Sequence, residues 1–472
     1  MSDARSFERI IERERGLRRS LSARRMTMIA IGGAIGTGLF LGSGLAISLA
    51  GPAVLLSYAI GAMIALLLMG CLAEMTVAHP TTGSFGAYAE HYLGPLAGFL
   101  VRYEYWTCLV LGVGTEVTAV ALYMRFWFPE LPGWLWIMGV SALLIMVNAR
   151  SVNVFGAIEY WFSAIKVAAI VIFIVLGAYL LLRAQATVPA AGAGDDVPRV
   201  GLHNYLAYGG FFPKGAWGAW VAVIVAIFSY LSIEMIAVAA GEAAQPELAV
   251  KRAFRATLVR LILFYLLTLA LVLAIVPWTA AGVDESPFVK VMRALHVPAA
   301  AGIFNFVILV AALSSMNSQL YATTRTMFSL SRAGYAPRRF GAVSRRGVPL
   351  QALLLSSIGI AVAVVLSVVA RRSAFILMVS ISSFGAMFTW LMIFVTHYAF
   401  RRARARAGIP PPRFRMRGFP ATTLLGAALM AAVLLTTALT DAFRLTLVFG
   451  LPFLASLCAI YWFWLRPEAS LT

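Results

Sequence analysis

Twelve apolar runs, most of them near the roughly 18 residues that a helix needs to cross about 30 Å of hydrocarbon, recur along this chain. They lie at about 27–47, 54–77, 98–124, 133–147, 157–182, 215–240, 257–277, 299–325, 350–369, 374–398, 421–438 and 444–464 of 472 residues. In lipid every backbone N–H and C=O needs an internal partner, which leaves helices or a closed barrel. The runs are continuous rather than alternating in polarity, so they predict an all-α polytopic membrane protein with twelve transmembrane helices. A composition of 61% hydrophobic and 12% charged residues excludes a water-soluble domain of this length.

The first 25 residues, MSDARSFERIIERERGLRRSLSARR, are charged and lack the short apolar core and small-residue site of a cleavable signal. The first span is expected to act as the insertion signal. Cys71, Cys108 and Cys458 all fall within apolar runs and are too scattered for a disulfide framework or a zinc knuckle. His79, His91, His203, His296 and His397 sit at span ends or in loops without ligand spacing, so no metal and no cofactor is expected. No Walker loop or nucleophile elbow is present, and the chain is read as a non-enzyme.

The net charge of +19 does not read as a nucleic-acid surface, because the basic residues lie in the loops between spans. With the N-terminus in the cytoplasm, 25 of the 38 Lys and Arg residues fall on the inner side and 9 on the outer. That asymmetry is the positive-inside pattern, and it puts both termini in the cytoplasm of a plasma-membrane protein. RRARARAGIPPPRFRMR (401–417) is the most basic inner loop, and Arg371 with Arg372 runs against the trend. Arg102, Lys166, Arg260 and Arg325 lie within or at the ends of spans.

Span 1 holds IGGAIGTGLFLGSG (31–44), and glycine weakens a helix by about 1 kcal/mol per residue relative to alanine. Span 6 holds FSYLSIEMIAVAAGEAAQP (228–246), where Ser229, Ser232 and Glu234 interrupt an apolar run without glycine nearby. These spans open two successive sets of five, and since five is odd the second set starts from the opposite face. Broken helices at matching places of an inverted repeat mark a secondary transporter's midplane site. The expected division is a cytoplasmic segment 1–25, a first repeat 26–182, an outer loop and second repeat 183–400, a basic loop with helices 11 and 12 in 401–466, and a tail 467–472. The glycines of span 1 also suit close helix packing.

GPAVLLSYAIGAMIALLLMGCLAEMTVAHP (51–80), PTTGSFGAYA (80–89), NARSVNVFGAIEYWFSAIK (148–166), AAGEAAQPE (239–247) and SSMNSQLYATTR (314–325) carry a resemblance. Together, in register from about residue 20 to the end of span 12, they resemble the amino acid transporter branch of the amino acid–polyamine–organocation permeases. The resemblance implies the leucine-transporter-like fold, five plus five inverted helices with two appended, and proton-coupled import of an α-amino acid. It implies that Gly36, Thr37 and Gly38 hold the substrate carboxylate, and that the carbonyls of Ala34, Phe228 and Leu231 receive the α-ammonium. Phe228 is then the ring that closes over the substrate. Ser232 departs from the pattern, since many relatives place glycine there.

An ionised group at mid-bilayer costs at least about 2.5–3.5 kcal/mol on insertion scales, so each charged residue within a span calls for a reason. Lys166 either snorkels past Trp161 to the inner headgroups or, as the resemblance implies, replaces the sodium of sodium-driven relatives of the fold. In the second case carbonyls near Gly32 and Ile35 and the hydroxyl of Ser314 or Ser315 receive its ammonium. Glu116 is either a protonated interhelical link or a cavity-facing proton carrier. Glu234 reads as support for unwound N–H groups, and Glu74 as a brace. Asn317 and Tyr321, four apart on span 8, either line the cavity or link helices.

The expected partners are an amino acid, protons and the lipid bilayer, with no nucleic acid. An exchanger, in which Lys166 is a fixed charge, is the alternative; a non-transporting amino acid sensor and a channel are further readings. Without an acidic pair for a cationic side chain, neutral amino acids are favoured.

Overall fold

The computed structural model describes Phe7 and residues 35–81, 83–150, 152–183, 200–234, 257–282, 284–294, 299–344, 347–370, 373–410 and 414–465, together with Leu248, Phe254 and Pro412. Ten helical stretches are long and apolar enough to cross a membrane; one of them, Gly38–Ala78, contains two spans folded back at Gly51, where φ is +62°. A shorter apolar helix, Gly215–Tyr230, stands where span 6 is expected. Twelve spans therefore appear among the described residues.

A π-helical turn, Gly38–Gly42, leads into α1 (Ser43–Ala50), and α2 (Val54–Ala78) returns across the membrane. A short helix α3 (Ser84–Leu93) precedes α4 (Pro95–Met124), which starts on a proline after Gly94, the position where a missing N–H costs nothing. Helices α5 (Gly133–Arg150), α6 (Val152–Arg183) and α7 (Gly215–Tyr230) follow. Span 7 is a π-helical segment, Leu261–Leu267, continued by α8 (Thr268–Ile275). An amphipathic helix α9 (Pro287–Ala294) precedes the long α10 (Ala300–Arg332). Span 9 divides at Ser357 into α11 (Leu350–Ser356) and α12 (Ile358–Val369). The last spans are α13 (Ala374–Arg406), α14 (Ala421–Thr436) and α15 (Leu445–Ile460).

Several helices outrun their apolar cores. α10 continues to Arg332 and α13 to Arg406, about two turns past the expected ends at 325 and 398. Arginine is a good helix former, and its charge is favourable at the carbonyl end of the helix dipole. In span 6 the first helix stops at Tyr230, Glu234 is helical again after the break, and residues 235–247 lie outside those described.

α4 runs through the middle of the bundle, packed by α10 on one side and α13 on another, while α5 and α15 keep most of their surface outward. The π-turn and α1 pack along α7. A Cβ on Gly38 would stand 2.7 Å from Ser229 Cα, so spans 1 and 6 cross backbone to backbone there, and glycine is required. Three buried tyrosines fix this crossing. Ser229 Oγ donates to Gly38 O at 2.7 Å, Tyr58 hydroxyl stands 3.0 Å from Ser229 Oγ, and Tyr265 hydroxyl donates to Ser229 O at 2.9 Å. Tyr230 hydroxyl donates to Tyr58 O at 3.0 Å. At the end of the molecule that carries α9, the buried rings of Phe40, Phe173, Phe288 and Phe304 meet with centroids 4.7 to 6.5 Å apart. That end is closed.

Candidate functional site

Both expected interruptions are present. Ile35 and Gly36 are non-helical, and the π-turn begins only after Thr37. In span 6, Leu231 is extended with ψ 153° and Ser232 takes φ +71°, a left-handed conformation reached here without glycine. The departure at Ser232 therefore does not keep span 6 helical. Glu234, fully buried, accepts the Ser232 N–H at 3.1 Å, the Tyr105 hydroxyl at 2.8 Å and the Trp390 indole N–H at 3.1 Å. One carboxylate thus holds the broken backbone against α4 and α13.

At the span 1 break the Thr37 N–H donates to Glu116 Oε2 at 3.2 Å, and Ser315 Oγ donates to Glu116 Oε1 at 2.8 Å. Gln319, one turn along α10, donates to Ser315 Oγ at 3.1 Å. A Cβ on Gly36 would lie 2.5 Å from Glu116 Oε1, so the absent side chain is what lets the carboxylate reach the break. Glu116 makes two links rather than one interhelical bond. Phe228 is nearly buried, and its carbonyl accepts the Leu231 N–H at 3.3 Å. Ala34 and Gly32 lie outside the described residues.

Lys166 is fully buried, with Nζ donating to Ile35 O at 3.1 Å and to Ser314 Oγ at 2.7 Å. Its ammonium is thus lodged against the break in span 1, and the snorkelling alternative does not describe this position. Of the two serines considered, Ser314 receives Lys166, and Ser315 serves Glu116. Asn317 links helices: its Nδ2 donates to Glu159 Oε2 at 3.2 Å, and its Oδ1 accepts from Asn148 at 2.8 Å. Tyr321 is covered by the Arg325 guanidinium, 4.2 Å from its ring centroid.

Glu159 is the residue that the sequence reading passed over. It is fully buried and accepts a short hydrogen bond from Ser314 Oγ, while Ser163 Oγ stands 3.4 Å from Oε1. It lies seven residues before Lys166, two turns along the same face of α6, and that spacing is the signal that finds it. Near the inner end of an apolar run a carboxylate passes for an interfacial residue. Glu116 and Glu159 both act electrostatically on Lys166, so one ammonium is set between two carboxyl groups, with adjacent serines of α10 bonded to each.

A helix broken at mid-depth in each of two spans, crossing at a glycine and flanked by a buried ammonium, is the arrangement of a secondary transporter. The amino acid permease family profile matches residues 25–467, and the chain belongs to this family. It is 36% identical to the uncharacterised amino acid permease YtnA of Bacillus subtilis, covering 94% of this chain and 95% of that protein. Against the γ-aminobutyric acid permease of Bacillus subtilis it is 37% identical, covering 91% and 90%. Against the aromatic amino acid transport protein AroP of Escherichia coli it is 38% identical, covering 90% and 91%. Among solved structures, a manganese transporter mutant of Eremococcus coleocola aligns with TM-score 0.57 at 15% identity, covering 93% of this chain and 92% of that one. That likeness concerns the fold alone, the leucine-transporter-like one. The chain is an integral membrane permease for amino acids, not an enzyme.

Proposed function

We propose that this permease imports a neutral α-amino acid across the plasma membrane by proton symport with alternating access, its termini in the cytoplasm. The observation that carries the reading is the fully buried Lys166 ammonium, hydrogen-bonded at once to Ile35 O beside the span 1 break and to Ser314 of α10. A cation site built from a protein side chain can be emptied of charge only by losing a proton, which makes it sensitive to a proton gradient. The substrate carboxylate takes the N–H groups around Gly36, Thr37 and Gly38, displacing Glu116 from Thr37, while the carbonyls of Ala34, Phe228 and Leu231 receive the ammonium. Displaced from Thr37, Glu116 keeps the Ser315 bond and still interacts with the Lys166 ammonium, so its charge is already opposed when a cationic side chain arrives. The relative named for aromatic amino acids is in keeping with an α-amino acid whose side chain carries no positive charge. The phenylalanine cluster packed at the α9 end supports a state shut toward the outside.

The test is uptake of labelled amino acids into proteoliposomes with an acid-outside gradient, without one, and with the gradient plus a protonophore. Concentrative uptake of neutral substrates that the protonophore abolishes is expected. Uptake that needs preloaded amino acid and ignores the gradient makes the protein an exchanger and Lys166 a fixed charge.

A further inference from the structure

We propose that Glu159 is a second proton-binding site, which takes the proton from Lys166 through the Ser314 hydroxyl and releases it toward the cytoplasm. The inference rests on the proton-symport reading above and adds to it where the proton goes.

The geometry is that of a relay. Lys166 Nζ donates to Ser314 Oγ at 2.7 Å, and the same oxygen donates to Glu159 Oε1 in a short hydrogen bond. Ser314 thus accepts from the acid and donates to the base, the one orientation in which a hydroxyl passes a proton onward. In the transfer an N–H bond of the Lys166 ammonium breaks as a new O–H forms on Ser314. The original Ser314 O–H breaks as its proton bonds to Glu159. An ammonium and a carboxylate become an amine and a carboxylic acid, with no net charge created. Ser314 then donates back to the amine and accepts from the acid, so the chain is left in reversed polarity.

The remaining contacts of Glu159 favour reception. Asn317 and Ser163 face it as donors, so its oxygens are held as an acceptor-only carboxylate while Lys166 is charged. Asn148 of α5 fixes Asn317 in turn through the 2.8 Å bond to its Oδ1, which directs the Asn317 amide N–H toward Glu159. The ionisable groups acting on this pair are Lys166 on α6 itself and, beyond Lys166, Glu116 of α4 and Arg260 before the span 7 π-segment. The polar groups that α10 presents to Glu159 (Ser314, Asn317 and Ser318) are not ionisable, and neither is Asn148 of α5, which bonds Asn317. Position supplies the direction. Glu159 lies two turns, about 10 Å, closer than Lys166 to the end of α6 that the charge pattern puts in the cytoplasm. Asn317 and Asn148 also lie on the cytoplasmic side of Ser314. Glu116 is bonded instead to the Thr37 N–H at the span 1 break and to Ser315, so the two carboxyls keep separate sets of donors.

The experiment compares wild type, Glu159→Gln, Glu159→Asp and Ser314→Ala in proteoliposomes, measuring gradient-driven accumulation and counterflow exchange at equal pH on the same preparation. Exchange requires substrate binding and alternation but no net proton release. The expected result for Glu159→Gln is a fall of about tenfold or more in the ratio of accumulation to exchange, with Glu159→Asp restoring most of it. A ratio equal to that of wild type overturns the proposal. If Glu159→Gln does not fold, Ser314→Ala keeps both charges and removes the link, and an unchanged ratio there overturns it equally. Wild-type protein that fails to accumulate substrate under the gradient refutes the symport reading itself, and this proposal falls with it; coupled wild type with coupled variants refutes the relay alone.

Discussion

Ser232 sits at φ +71° in the break of span 6, a conformation that costs an L-residue roughly 1–2 kcal/mol and glycine almost nothing. Its backbone N–H is held by Glu234 at 3.1 Å, so the strain is maintained by a buried carboxylate rather than relieved. Ser232→Gly is therefore expected to raise the thermal midpoint of the purified protein, by the strain released less the added freedom of the unfolded chain, a net of about 0.5–1 kcal/mol. Ser232→Val, β-branched and a poor fit to positive φ, is expected to lower it and to depress uptake. A midpoint order other than Gly above Ser above Val sinks the account. This residue also shows why the span 6 break was faintly legible in the sequence. Glycine density announced the unwinding of span 1, whereas in span 6 the distortion is held by a local bond from the Ser232 N–H to Glu234, whose carboxylate is itself fixed by Tyr105 and Trp390 of distant helices. Lys166 was legible because one lysine in an apolar run demands an explanation. Glu159 was not, because its burial depends on α10 packing over the inner end of α6.

At the scale of elements, the same physics holds α2 to α13 and to the basic segment that follows it. Glu74 is fully buried, pairs with Arg401 at 2.6 Å, and accepts the Met416 N–H at 2.8 Å, with His397 Nε2 at 3.2 Å. The carboxylate is thus a clamp on the loop 407–417, which extends the bracing role expected of Glu74 to a segment far from it in sequence. Removing one partner of a fully buried pair costs about 3–5 kcal/mol, and Glu74→Ala should cost less, because Arg401 keeps 16% exposure through which to reach water. The expected outcome is a lower thermal midpoint and faster trypsin cleavage at the arginines of 401–417, with Glu74→Gln intermediate. Cleavage at the wild-type rate in Glu74→Ala rules the clamp out. Helix ends were the least legible elements. Hydropathy stops at the edge of the bilayer, while α10 and α13 continue beyond it on helix propensity and on tertiary contacts such as buried Leu330 and the Arg401–Glu74 pair, and span 9 divides at Ser356, Ser357 and Gly359, small residues that hydropathy does not read as a helix end.

For the whole molecule the remaining question is which way round it sits, because the direction of every proton step follows from it. The 25 inner against 9 outer basic residues argue for cytoplasmic termini, and the charge pattern alone carries that statement. Thiol labelling tests it with little background, since Cys71 and Cys108 are buried and Cys458 is partly so. Leu206, 66% exposed between spans 5 and 6, and Arg406, exposed at the end of α13, lie on opposite faces. In intact cells a membrane-impermeant maleimide is expected to label Leu206→Cys, and to label Arg406→Cys only after permeabilisation. Replacing one arginine leaves the charge asymmetry in place, so the probe does not itself turn the protein over. The opposite labelling pattern would put the inner end of α6 outside. Glu159 would then stand between Lys166 and the external medium, and the Lys166–Ser314–Glu159 chain would be a route for proton entry instead of release.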